Sequence, residues 1–78
     1  MSNAVTSAVI NNYNYTQSTP SSTWGIVHNL NLDCPVVDVF VSISGTLEKI
    51  IPESVLVDDV NTVTITFTTD YAGVASIV

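Results

Sequence analysis

Thr62 to Thr68 alternates without a break. Val63, Ile65 and Phe67 occupy one face of an extended chain, and Thr62, Thr64, Thr66 and Thr68 the other. No helical period accommodates that pattern, and β-branched Thr, Val and Ile favour a pleated backbone. The rest of the chain from Ser22 has the same texture, as short β-type runs divided by turn residues. Thr23 to Leu30 places Trp24, Ile26, His28 and Leu30 on one face. Val36 to Ile43 places Val37, Val39, Val41 and Ile43 together, and Ser44-Gly45-Thr46 comes next as a turn. Leu47 to Ile51 stops at Pro52, which lacks the N–H that a ladder needs. Val55, Leu56 and Val57 lead into Asp58-Asp59-Val60-Asn61, a hairpin turn by composition. Asp70-Tyr71-Ala72-Gly73 reads as a further turn before a last strand, Val74 to Val78. Turn signals about every 8–12 residues predict an all-β fold, a small antiparallel β-sandwich or barrel over residues 22–78.

Residues 1–21 differ from the remainder of the chain. They are small and polar, with Val5, Val9 and Ile10 at a spacing that permits one helical turn, but Asn, Ser and Thr are poor helix formers. Such a composition is common in disordered tails. Here it is read as an extended N-terminal arm, because the domain behind it is short of means to stabilise itself. Below roughly 80 residues a single core is marginal, and small domains add a disulfide, a metal or a partner. With 78 residues, one cysteine (Cys34) and one histidine (His28), the chain can form neither an intrachain disulfide nor a zinc cluster. Oligomerisation remains, so a homo-oligomer is expected. Val9, Ile10, Tyr13 and Tyr15 are the expected interface residues of the arm, with the two tyrosines as an alternative platform for stacking on a sugar.

Charge removes other classes of partner. Seven acids face one Lys and no Arg, a net charge of −6. Binding to phosphate backbones or anionic lipid needs cations that this chain lacks, so neither nucleic acid nor a membrane surface is expected as a partner. No run approaches the ~18–20 apolar residues of a membrane span. The opening MSNAVTSAVINNYNY has neither the basic start nor the unbroken apolar stretch of a secretory signal.

Motifs that carry chemistry are missing. The chain has no nucleophile elbow, no phosphate-binding glycine loop, no HExxH and no CxxC. His28 shares a face with Trp24 and Ile26 and reads as a packed residue that hydrogen-bonds a loop rather than as a general base. Cys34 precedes Pro35 with no cation nearby in sequence and reads as a small buried thiol. Asp58-Asp59 is too few ligands for calcium, and Glu48 and Glu53 stand in no relation that suggests a glycosidase pair. No catalytic residue, metal or cofactor is assigned, and an enzyme is not expected.

One likeness goes further. Tyr15-Thr16-Gln17 precedes Pro20-Ser21-Ser22-Thr23-Trp24, then Ile26-Val27-His28-Asn29-Leu30, then Pro35-Val36-Val37. A Ser44-Gly45 turn comes next, then Asp58 to Phe67 (DDVNTVTITF), then Tyr71-Ala72-Gly73-Val74-Ala75. In this order and spacing the series resembles a small β module of tailed-bacteriophage virion proteins, found in tail fibres and other surface-exposed structural parts. The TWxIxHNL and NTVTITF strands are its sharpest elements, and Trp24, His28, Asn29, Pro35, Asn61 and Phe67 are its structural motif residues. The family pattern has Gly after His-Asn-Leu. Asn31 stands there in this chain, and both residues tolerate positive φ. The resemblance implies a virion location and no catalysis. The expected function is a capsid decoration or cement protein attached through its arm to copies of itself and to other virion proteins. The alternative is a tail-fibre, tail-tip or baseplate module that meets a host-surface glycan. A host-directed depolymerase stands behind both, since one histidine and no motif leave it little support.

Overall fold

The structure is a computed structural model that describes residues 12–78. It is all-β: five strands, β1 (Tyr13–Val27), β2 (Val37–Ile43), β3 (Thr46–Ile50), β4 (Ser54–Asp59) and β5 (Thr62–Ile77), in one antiparallel sheet. The long strand β5 organises it. On one side β5 pairs with β1 along nearly its whole length, from Tyr13 opposite Ile77 to Val27 opposite Thr62. On the other side it has two partners in succession. Gly73 to Ile77 pair with Val41 to Val37 of β2, and Thr62 to Thr66 pair with Asp59 to Ser54 of β4. β3 continues the sheet beyond β2, with Val39 opposite Ile50.

The β1–β5 register shifts between Gln17 and Ser21 and again between Ser21 and Thr23. Bulges of this kind bend a sheet, and here the bend lets its two halves face each other. Trp24, Ile26, Val63, Ile65 and Phe67 come from one half, Val39, Val41, Ala75 and Ile77 from the other, and all nine belong to one buried cluster. The fold is therefore a small sandwich made by folding one sheet over on itself. The period-2 pattern supplies it: Trp24, Ile26 and His28 are buried while Thr23, Gly25, Val27 and Asn29 between them are exposed. Burying Val63, Ile65 and Phe67 at about 1.5–3 kcal/mol each gives β5 the largest apolar contribution of any single run.

Two expectations are corrected. Residues 13–21 do not form an arm: Tyr13 to Gln17 pair with Ile77 to Gly73, so the first strand begins at Tyr13 rather than Thr23. An edge strand can be polar on its outer face, and Asn, Ser and Thr there resemble a tail only when the pairing partner, about 60 residues away, is out of view. Pro20 falls between the two paired stretches, at the shift, where no ladder N–H is needed. Val9 and Ile10 lie outside the described residues. The second correction concerns residues 70–73, which continue β5 instead of turning. Gly73 serves close approach rather than a turn. A Cβ there would overlap the Phe40 carbonyl oxygen and lie 2.8 Å from the Val41 Cα. The expected turn at residues 44–46 is present, with Ser44 and Gly45 at positive φ.

Phe67→Ala should cost about 3–5 kcal/mol in chemical denaturation, the usual loss for a buried Phe. Thr64→Ala removes only an exposed hydroxyl that donates to Asp58 Oδ2 at 2.6 Å, and should cost about 1 kcal/mol. The reverse ranking would overturn the assignment of the two faces of β5. The glycines make a second test. Gly73→Ala forces β2 and β5 apart and should cost at least about 1–3 kcal/mol. Gly25, where an added Cβ meets nothing within 4 Å, should accept Ala with no loss or a gain of about 0.5–1 kcal/mol.

Candidate functional site

The residues that carry the sequence motif converge on two structural joints. At the bend, the Trp24 indole N–H is within reach of two carbonyls, Ser21 O and Tyr71 O, each at 3.1 Å. Ser21 belongs to β1 and Tyr71 to β5, so one donor ties the two strands where the ladder between them is interrupted. The Trp24 ring lies 6.1 Å from Tyr15 and 4.8 Å from Phe67, and Phe67 meets Tyr71 edge-on at 5.4 Å. These tilted geometries are the favourable ones for aromatic pairs, each worth about 0.5–1.5 kcal/mol beyond area burial. Tyr15 is thus half-buried against Trp24, with its hydroxyl donating to Gln17 Oε1, and is part of the domain rather than a free interface anchor. Tyr13 pairs with Ile77 at the β1 edge and stays partly exposed.

The second joint holds the β1–β2 connection. The Asn61 carbonyl accepts from His28 N–H at 2.8 Å and Asn29 N–H at 3.2 Å, and the Asn61 side-chain oxygen accepts from Asn31 N–H at 2.9 Å. Leu32 N–H donates to Val60 O at 2.8 Å. Asn29 and Asn31 both sit at positive φ, which Asn tolerates better than most side chains. His28 is buried, and its Nδ1 accepts from Leu30 N–H at 3.1 Å. Accepting there fixes the neutral ring as the Nε2–H tautomer. That Nε2 is buried with no partner among the described residues. Pro35 is half-buried, and beside it Val36 and Val78 exchange two backbone bonds at 2.8 and 3.0 Å. Cys34, expected to be buried, is exposed: its loop lies outside the core, so the general preference of free cysteine for the interior does not apply.

Among the described residues no three His, Cys, Asp or Glu side chains gather as metal ligands, and no helix is long and apolar enough to cross a membrane. Lys49 pairs with Asp38 at 3.2 Å across β2 and β3, with both side chains well exposed. An exposed pair of this kind contributes at most about 1 kcal/mol.

One feature able to engage another molecule is a cleft between β3 and β4, next to a second hollow lined by Ile50 to Glu53, Phe67, Thr68 and Tyr71. The cleft arises because β5 changes partner on that side, and Ile51-Pro52-Glu53 crosses from β3 to β4 with Glu53 N–H donating to Thr66 O at 2.9 Å. Val37, Val39, Ile50, Ile51, Pro52 and Val55 line a space of about 350 Å³, with Asp38, Lys49, Glu53 and Ser54 also on its wall. Every residue of β4 is exposed, including Val55, Leu56 and Val57. Val55 and Val57 stand opposite the fully buried Ile65 and Val63, so they lie on the inward face but beyond the cover of the other half of the sheet. Sequence reading found the Val55–Val57 run but not its exposure, which arises because β4 has a partner on one side only. Compared with protein-family profiles, curated proteins and solved structures, the chain has no match.

His28→Leu keeps the packing but leaves the half-buried Leu30 N–H without its acceptor, and should lower stability by about 1–3 kcal/mol. Lys49→Ala should change it by less than about 1 kcal/mol. Equal losses in a urea titration would show that the His28 contact is not what holds this loop.

Proposed function

We propose that this protein is a structural component of a bacteriophage virion, a capsid decoration or cement protein that attaches to neighbouring subunits through its N-terminal arm. The observation that carries the reading is the ordered series of motif segments from Tyr15 to Ala75, which resembles the small β module of phage surface proteins. The placement of those segments supports it. Trp24 and Phe67 sit together at the bend, and His28, Asn29 and Asn61 at the loop joint, so the motif describes how this domain is held together. A scaffold motif of that kind suits a module whose work is to be rigid and to present surfaces.

The arm in this reading is residues 1–12, shorter than the sequence pattern alone suggested. It is uncharged, as is everything before Asp33, and all seven acids come after it. Subunits carrying −6 each repel one another when crowded. Attachment through the uncharged end avoids opposing carboxylate to carboxylate. The second reading, a tail-fibre or baseplate module that meets a host-surface glycan, draws on the occurrence of the resembling module in fibres and on the partly exposed Tyr13.

Quantitative mass spectrometry of purified virions decides between them. Hundreds of copies per particle are expected for a decoration protein. A few to a few dozen copies would replace that reading with the tail module, and no copies at all would remove both.

A further inference from the structure

β4 is an edge strand whose ends carry an edge's usual protection, Pro52 and Glu53 before it and Asp58, Asp59 and a register shift at its far end, but whose middle carries none. Natural edges are blunted by charges, Pro, bulges or a covering segment, since free N–H and C=O groups invite another strand. On β1 the edge is interrupted by Pro20 and two register shifts, and on β3 it carries Glu48 and Lys49. The middle of β4 is Val55-Leu56-Val57, with Leu56 59% exposed, and Ile51 at the adjoining cleft is 95% exposed. Apolar side chains on both faces of an open edge, beside a cleft with a largely aliphatic wall, form a docking surface for an extended segment: backbone bonds supply affinity and the cleft receives alternate side chains.

We infer that this surface accepts residues 4–10 of a second copy of the chain as an added strand. The inference deepens the proposed function by naming where the arm lands. Three observations select this occupant. Length agrees: β4 has six residues, about 20 Å of edge at ~3.4 Å per residue, and Ala4-Val5-Thr6-Ser7-Ala8-Val9-Ile10 has seven. Charge agrees: Glu53, Asp58 and Asp59 flank the apolar run, and the arm brings no further acid to them. The other self-pairing, β4 against β4 with the apolar runs in antiparallel register about Leu56, would set Glu53 opposite Asp59 twice, and like charges directly opposite are destabilising. Chain direction favours a second copy over the same one. Tyr13 is at the β1 edge, and β5 and β2 stand between it and the cleft. Two inter-strand spacings are about 10 Å, so folding back would use up about three residues, Ile10 to Asn12, on the crossing alone. Docking on another copy leaves Ile10 free to enter with Val9.

Two full-length variants test this by sedimentation equilibrium on purified protein, with no virion present. Val9→Asp spoils the arm and leaves the cleft, while Ile51→Asp spoils the cleft and leaves the arm. Ile51 is outside the buried core cluster, so Ile51→Asp should keep the circular dichroism of the parent chain, and the same spectrum is required of Val9→Asp. The parent is expected to self-associate with an affinity that holds or rises as NaCl goes from about 0.01 to 0.15 M, because screening relieves repulsion between acidic copies. Each variant alone should associate at least about tenfold more weakly, the effect of losing one buried aliphatic contact or more. Mixed together they should form a complex again, because the intact arm of one fits the intact cleft of the other. A Val9→Asp variant that associates like the parent would overturn the arm as donor and leave β4-to-β4 pairing. A parent that stays monomeric would overturn the second copy as occupant, as would a mixture that forms no complex. Failure in any of these ways leaves the copy number on the virion, and with it the proposed function, as a separate question.

Discussion

Trp24 at the bend is the contact on which the rest of the molecule depends. A single antiparallel sheet of this size has one apolar face and no second layer to cover it. The chain provides that layer by folding the sheet over, and the fold line is where the β1–β5 ladder loses register. Backbone groups freed at a bulge in a half-buried place need partners. The Trp24 N–H is shared there between the Ser21 and Tyr71 carbonyls, and its ring fills the corner between Tyr15 and Phe67. One side chain therefore supplies both polar satisfaction and bulk at the place where the ladder supplies neither.

The bend has a cost on the opposite side of β5. β1 accompanies β5 along the whole turn as a single strand, but the other side is shared between β2 and β4, and nothing pairs there between Phe67 and Ala72. The seam between those two partners becomes the cleft, and β4, attached to the sheet by one side only, remains exposed on both faces. A 78-residue chain has no spare segment among its described residues to cover that seam. The same geometry that closes the core thus leaves Ile51 and Val55 to Val57 exposed beside the seam.

Charge is arranged consistently with this. The first 32 residues, which include β1, carry no acid, Lys or Arg, while the acids lie on β2, β3, β4 and the connecting loops, with Asp70 in β5. Lys49 is already engaged with Asp38. In the proposed assembly, repulsion between acidic surfaces limits which surfaces of two copies can meet.

Much of this was legible in the residues taken alone. Alternation placed Val63, Ile65 and Phe67 inward, likewise Val39 and Val41, and Trp24, Ile26 and His28, because the face a side chain takes in a strand is set by its own position and a period of two. The turn at Ser44-Gly45 and the hairpin after Asp59 were readable for the same reason, being set by residues adjacent in the chain. What the strands do to one another was not readable. Tyr13 to Gln17 looks like a tail until Gly73 to Ile77 pair with it, and Gly73 looks like a turn until Phe40 approaches it. Cys34 looks buried by type, and the run Val55 to Val57 does not say that β4 has only one neighbour. Each of these was decided by a contact between residues far apart in sequence, and no local pattern encodes where a sheet bends or which of its edges is left open.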